Sequence, residues 1–544
     1  MKDFESMLCK LYIVFLMGVL PLYTGGTYWK LGDTKYMLFR NVTVICLGAW
    51  LAVSLIRGAI ALIGGTRRLP RLSVTDLCML AYGGTVLVSA LCSPFGRVPW
   101  MGYPEWYMGA VSQGMFIGIY FFLSRSCDRS RIPVYAGEAA LALVFLIGFA
   151  NRLGLDPAKL MQPFTSRSWE YSHMISTIGN INWFCGFCSV MLGFPVAGYL
   201  KGRGKAELLL HYLVSVMGLT LLCIQGSDAG PLIAAVCIGV SLLYGLKDQK
   251  IFQRGLALAS GMCLVMAAYA KLVTLMGRET MAAVPADGIG LERMAWNGWW
   301  LMGAVLLILA AVFGRLSQRA ARKTGIALML SGGLAVAALA VVYALRMPEG
   351  DGWGSGRGGL WRFAWQGFVQ GGFRQKLVGA GPDCFANYIY STLPATQLTP
   401  TEGFWTGTIY ANAHNEWLNA LVTLGILGTA ALAGLYIGSV RRYRKRPLGM
   451  LTVAMYGINS LISFQQVLST PLLFMVLGLC EYHMRNLDRD SAAETDKDSG
   501  TETGKGSAAG TDKDSDAETG KGSAAEIDRD SAAETGKGSM QGIS

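Results

Sequence analysis

Apolar blocks of about 17 to 25 residues recur from near Leu8 to near Tyr482, separated by short charged stretches. A helix needs a block of about that length to cross about 30 Å of hydrocarbon. The 544 residues are 52% hydrophobic and only 15% charged, more apolar surface than one or two soluble cores could bury. The pattern predicts an all-α integral membrane protein of about fourteen transmembrane helices, with a large outer loop between spans 11 and 12. The spans are placed at 8–23, 41–64, 75–92, 107–124, 132–150, 180–200, 208–225, 230–246, 255–276, 297–314, 324–345, 413–438, 447–465 and 470–484. The first lacks a small-residue cleavage site and is followed by many more, so it reads as a retained helix.

Charge placement sets the expected topology. The net charge of +12 does not point to nucleic acid, because the basic residues sit in short clusters between apolar blocks and not on one interleaved face. Arg67, Arg68 and Arg71 follow the second span, Arg125, Arg129 and Arg131 the fourth, and Lys201, Arg203 and Lys205 the sixth. Lys247, Lys250 and Arg254 continue the series, then Arg315, Arg319, Arg322 and Lys323, then Arg441 to Arg446. By the positive-inside bias these connections are cytoplasmic, and so are both termini. Lys30, Lys35 and Arg40 run against the trend.

The chain divides into spans 1–11 over 1–345, an extracytoplasmic loop over 346–412, spans 12–14 over 413–486, and a tail over 487–544. Long outer segments at 151–179, 277–296 and especially 346–412 contrast with tight connections near 226–229 and 466–469, and long loops are where function concentrates. The 346–412 loop is aromatic-rich but short for an independent domain, so it is expected to lie on the membrane face and roof a cavity. The tail repeats Glu-Thr-Gly-Lys-Gly-Ser from Glu502, Glu518 and Glu534. No repeat carries an apolar face to stack, so a disordered, solvated cytoplasmic tail is expected, either a tether or without a role. Most of the 12 cysteines lie in apolar blocks, where a thiol acts as a small hydrophobe. Cys185 and Cys188 form a CxxC inside such a block, which favours packing over metal or redox chemistry. Cys384 is expected outside and unpaired, and the four histidines are too scattered for a metal cluster.

Three elements around the outer loop carry chemistry. In Gly354-Ser355-Gly356-Arg357-Gly358-Gly359-Leu360-Trp361-Arg362 the glycines allow unusual backbone angles, and Trp361, Trp365 and Phe368 recur at helical spacing. Arg357 then sits near a helix start, suited to bidentate contact with phosphate oxygens, with indoles available to sugar faces. An interfacial aromatic belt with a snorkelling arginine is the alternative. Gly379-Ala380-Gly381-Pro382 reads as a tight turn and not as a nucleotide fingerprint. Ala411-Asn412-Ala413-His414-Asn415-Glu416-Trp417-Leu418 sits at the outer end of a membrane helix, where an imidazole can take or hold a proton. A helix cap made by Asn412 with an incidental histidine is the alternative there.

Together, and in this order, the three elements resemble the O-antigen ligase and O-antigen polymerase superfamily of bacterial envelopes. The resemblance is most specific over 355–430 and extends more loosely to Trp100–Trp106, to Thr177-Ile178-Gly179-Asn180-Ile181-Asn182-Trp183, and to the stretch from Phe464 to Leu479. One departure stands out: where many members carry an arginine after a serine near the seventh span, this chain has Ser227-Asp228-Ala229-Gly230. The resemblance implies glycosyl transfer at the outer face of the bacterial cytoplasmic membrane, from a polyprenyl-diphosphate-linked glycan to a hydroxyl on a glycan, lipid or protein acceptor. It implies no cofactor, no metal, and inversion at the anomeric carbon. Arg357 is the expected stabiliser of the leaving diphosphate and His414 the expected base. Arg362, Trp361, Trp365, Asn415, Glu416, Asn180 and Asn182 are expected substrate contacts, Glu416 also as an alternative base. Ligase and polymerase are not separable from the sequence. A lipid-linked oligosaccharide flippase or another transporter is the non-enzymatic alternative, although it would place charges along a path inside helices.

Overall fold

The computed structural model describes residues 1–25, 28, 30–65, 71–128, 130–162, 164, 172–276, 296–346, 350–398 and 409–503. Arg67, Arg68, Arg129, most of 277–296, part of the 346–412 loop, and the tail repeats beyond Thr503 lie outside these residues. Among the described residues seven helices are long and apolar enough to cross a membrane: Lys2–Leu22, Leu31–Ile63, Val74–Cys92, Ile132–Arg152, Ile181–Lys201, Lys205–Ile224 and Gln249–Met276. Shorter apolar helices occupy Ala229–Gly245 and Gly298–Phe313. On Leu31–Ile63, Ile45, Leu55 and Ile63 are 71%, 64% and 87% exposed. An apolar surface of that extent calls for lipid as its solvent.

The helices start where local chemistry directs. Ser73 and Asp76 form a reciprocal capping box ahead of Val74–Cys92, the Asp76 N–H donating to Ser73 Oγ at 3.1 Å and the Ser73 N–H to Asp76 Oδ2 at 2.8 Å. Prolines in the first turn open Ile132–Arg152 and Pro447–Ser460, where a missing N–H costs nothing.

Five ion pairs gather at one set of helix ends: Glu5 with Arg57, Lys10 with Asp128 at 2.5 Å, Asp76 with Arg125 at 3.1 Å, Arg131 with Glu207 at 3.2 Å, and Arg442 with Glu481 at 3.3 Å. They join the ends at which the sequence clusters its basic residues, so these ends share a face. Lys35, which runs against the charge trend, is fully buried and donates to the carbonyls of Leu20 and Pro21 at 2.9 and 2.8 Å. Its charge caps the end of the first helix.

Several expectations change. An all-α chain acquires one short antiparallel hairpin, Met174–Ile175 with Gly179–Asn180. Leu31–Ile63 has 33 residues and therefore runs about 50 Å, longer than the hydrocarbon layer. The expected span 413–438 is broken into Glu416–Thr423 and Gly425–Tyr443, with Gly425 at φ +69°. An added Cβ there would stand 2.5 Å from Leu377 O. The final helix runs from Thr470 to Thr503, past the point where the tail was expected to lose structure. Among the described residues, Met484–Thr503 belong to a second unit, apart from Met1–His483.

The described part of the 346–412 segment is itself helical: Trp353–Gln370, Phe373–Val378, Phe385–Thr392 and Ala395–Leu398 follow a single turn at Gly350–Gly352. Leu360, Phe363, Phe385 and Ile389 form its core, and Phe95, Val98 and Leu418 pack against them from the helix ends. The Ala380 and Gly381 N–H groups donate to Val422 and Thr423 carbonyls at 3.0 and 2.9 Å, and Ser93 Oγ donates to Ala380 O at 2.5 Å. The loop is thus bonded to the bundle's end through backbone as well as packing.

Candidate functional site

Glycines set the start of the Trp353–Gln370 helix. Gly354 and Gly356 lie at φ +63° and +86°, a region that favours glycine, and a Cβ on Gly358 would meet Gly350 O at 2.1 Å. This tight entry delivers Arg357 to the bundle. Its Nε donates to Ile462 O at 3.2 Å and its Nη1 to Gly354 O at 2.8 Å.

Arg362, expected to touch substrate, is engaged otherwise. Its Nε and Nη2 donate to Asp351 Oδ1 and Oδ2 at 2.8 and 2.6 Å, and its Nη1 to Gln397 O at 3.1 Å. The Asp351 carboxylate raises Arg362 above its ordinary value and fastens the Gly350–Gly352 turn to the helix. Trp361 is half-buried, its ring 5.0 Å from that of Trp353. Trp365 is 55% exposed, 6.0 Å from the Phe368 ring.

His414 precedes the broken helix, outside the Gly425–Tyr443 span, at φ +47°. The helix cap is Asn415 and not Asn412: Asn415 Oδ1 accepts from the Trp417 and Leu418 N–H groups at 3.0 Å each, and its Nδ2 donates to Leu461 O at 2.8 Å. Asn415 is therefore occupied in structure. Asn412 Oδ1 accepts from the His414 N–H at 3.0 Å, and the imidazole stands edge-on to Phe464 with centroids 4.8 Å apart. Burial first, then the charge of Arg357, pushes His414 down to about 3. The imidazole is neutral at ordinary pH, with a lone pair to accept a proton, and it shares an electrostatic neighbourhood with Arg357.

Glu416 is buried, its Oε1 accepting from Gln465 Nε2 at 3.0 Å. Burial pushes its carboxyl up to about 7. Asp383, in the turn after Gly379-Ala380-Gly381, accepts the Tyr103 and Met108 N–H groups on Oδ2 at 2.7 and 2.8 Å. Burial outweighs these two donors and pushes it, too, up to about 7.

Asn180 caps the Ile181–Met191 helix, its Oδ1 accepting from the Asn182 N–H at 2.8 Å. Asn182 Oδ1 accepts from Ser227 Oγ at 2.7 Å. Both have structural partners, yet their segment belongs to the neighbourhood: Cys185, one turn further on, lies within electrostatic reach of both Arg357 and Asp228. Asp228 and Arg357 thus share Cys185 as an electrostatic neighbour. Cys185 and Cys188 are fully buried in this helix, and Cys384 is free but buried.

Sequence reasoning missed Tyr82, Gln113, Gln465 and Asp383. Tyr82 Oη donates to Gln113 Oε1 at 3.0 Å, and Gln113 Nε2 donates to Gln465 Oε1 at 2.6 Å. The available signal was glutamine in two otherwise apolar stretches, Gln113 singly and Gln465-Gln466 as a pair. No family model matches this chain and no curated protein is significantly similar to it, so the site is read from its own residues.

Proposed function

We propose that this protein is a polytopic membrane glycosyltransferase of about fourteen spans, with both termini cytoplasmic. It transfers or polymerises a polyprenyl-diphosphate-linked glycan onto an acceptor hydroxyl at the outer face of the bacterial cytoplasmic membrane, as a member of the O-antigen ligase and polymerase superfamily. The observation that carries this reading is that Arg357 and His414, 57 positions apart in the sequence, act on each other electrostatically at the end of the bundle that bears the outer loop.

In the reaction the acceptor oxygen attacks the anomeric carbon from the face opposite the diphosphate, which gives inversion. The bond from that carbon to the phosphate oxygen breaks, and its electron pair leaves with the polyprenyl diphosphate. Arg357 faces the growing negative charge, where a fixed cation in a low dielectric is most effective. The acceptor's proton goes to the neutral imidazole of His414. A bound diphosphate offsets the charge of Arg357 and so removes one of the two causes that depress His414, making the base stronger once the donor is in place. Arg362 acts here as a positioning residue through Asp351, and Trp361 and Trp365 offer aromatic faces at the loop. Metal is not required by this scheme, because the diphosphate is already a good leaving group.

Purified protein in liposomes, given isotopically labelled polyprenyl-diphosphate glycan and candidate acceptors, tests the proposal. The expected result is a glycosylated acceptor and free polyprenyl diphosphate in equal amounts. Movement of intact donor across the bilayer without product would support a flippase instead.

A further inference from the structure

Phe464, whose ring stands against the imidazole of His414, also lines a partly open cavity whose enclosed part has room for a few water molecules. Trp106 and Phe464 supply aromatic walls, and Gln113, Gln465, Asn419 and Glu416 supply polar groups. Among its described lining residues there is no lysine or arginine. We propose that this cavity seats the hydroxyl-bearing edge of an uncharged acceptor saccharide, apart from the compartment in which Arg357 meets the diphosphate, with His414 at the wall between the two. The proposal rests on the glycosyl-transfer reading and assigns the acceptor's place within it.

The chemistry of the walls selects the ligand. An anion meets the carboxyl groups of Asp383 and Glu416 here and no compensating cation, so a second phosphate group is disfavoured. A sugar presents C–H faces to aromatic rings and hydroxyls to amides, and both are provided. The rings are held edge-on, Trp106 at 4.8 Å from Phe464 and 6.3 Å from Trp183. The amides are oriented in advance: Tyr82 fixes Gln113, Gln113 fixes Gln465, and Gln465 donates to Glu416.

A second observation concerns the carboxyl of Glu416. Glu416 is 4% exposed; Tyr456 interacts with its carboxyl, yet Oε2 has no hydrogen bond of good geometry among the described residues. A buried acceptor atom left in that condition is costly. An incoming sugar hydroxyl would satisfy it and would bring the same hydroxyl towards His414.

The test uses full-length protein in lipid nanodiscs and a panel of water-soluble methyl hexosides of gluco, galacto and manno configuration, each carrying a photoactivatable diazirine. For at least one member, labelled peptides should map to 103–113, 412–420 or 464–465. Excess unlabelled methyl hexoside should compete, and inorganic pyrophosphate should not. Trp106→Ala should reduce this labelling about tenfold, the loss expected of one aromatic face. Glu416→Gln, which keeps the shape, provides a second variant should the first fold poorly. Labelling elsewhere, labelling displaced by pyrophosphate, or labelling indifferent to both variants would overturn the assignment. If the label maps to the cavity but the liposome assay yields no transfer, the acceptor role falls together with the transferase reading. If transfer proceeds and the label lies elsewhere, the cavity assignment alone falls.

Discussion

The two ends of the helix bundle handle charge in opposite ways. At the ion-paired end, Arg57, Arg125, Arg131 and Arg442 each meet a carboxylate carried by a different helix or connection. At the loop-bearing end Arg362 clasps Asp351 within the loop, but Asp383 is met by two backbone N–H groups and Glu416 by the Gln465 amide. Neutral donors compensate a buried carboxylate only in part, so both groups sit at about 7 instead of staying ionised. One end therefore holds the fold with fixed charges, and the other keeps groups whose protonation can change near neutral pH.

The contrast can be broken most forcefully at Asp76. Its carboxylate is fully buried, paired with Arg125 and hydrogen-bonded by Tyr120 at 2.8 Å. Asp76→Ala should cost about 3–5 kcal/mol, because it strands a partly buried guanidinium. Reversible unfolding in mixed micelles measures the loss, and a change of under about 1 kcal/mol would show that this end is not held by its ion pairs.

At the other end, Arg357→Ala should lower transfer about 10²–10³-fold, and His414→Ala about 10²–10⁴-fold, with expression and thermal stability near those of the parent. Undiminished product from either variant removes that residue from the chemistry.

The pH profile sharpens the same distinction. Glu416 binds its proton below about 7, so its ionised acceptor form grows as pH rises through that value. Transfer should therefore climb between about pH 6 and 8, and Glu416→Gln should flatten this limb. His414, held down to about 3, contributes no inflection in that window. Stability moves the other way at Asp383: a carboxyl raised to about 7 favours the folded state below its unfolded value, and this advantage is lost as pH rises through about 7. The unfolding free energy should fall as pH is raised from about 4 to about 7.

The smallest effect is expected from deleting residues 490–544, polar and repetitive beyond the last apolar block. Transfer in liposomes should be unchanged, and a dead truncation would give the tail a role that its composition does not suggest.

Much of the architecture was legible in the sequence, because block length and hydropathy are local properties that a helix must satisfy before it finds neighbours. Each expected span overlaps helix, seven of these helices are long and apolar enough to cross a membrane, and the elements around Arg357, Gly379 and His414 meet at one end of the bundle. Structural partners were not legible where they lie far off in the sequence. Lys35 caps a helix end; Arg362, an expected substrate contact, is clasped by Asp351; Asn415, another, also caps a helix. By itself the sequence determined the helices, their apolar lengths and the residue types available to the site. Only the tertiary structure decided which polar groups face one another, as with Gln113 and Gln465 across 352 positions. A buried polar atom must find a partner wherever the fold brings one, and no local pattern records that encounter.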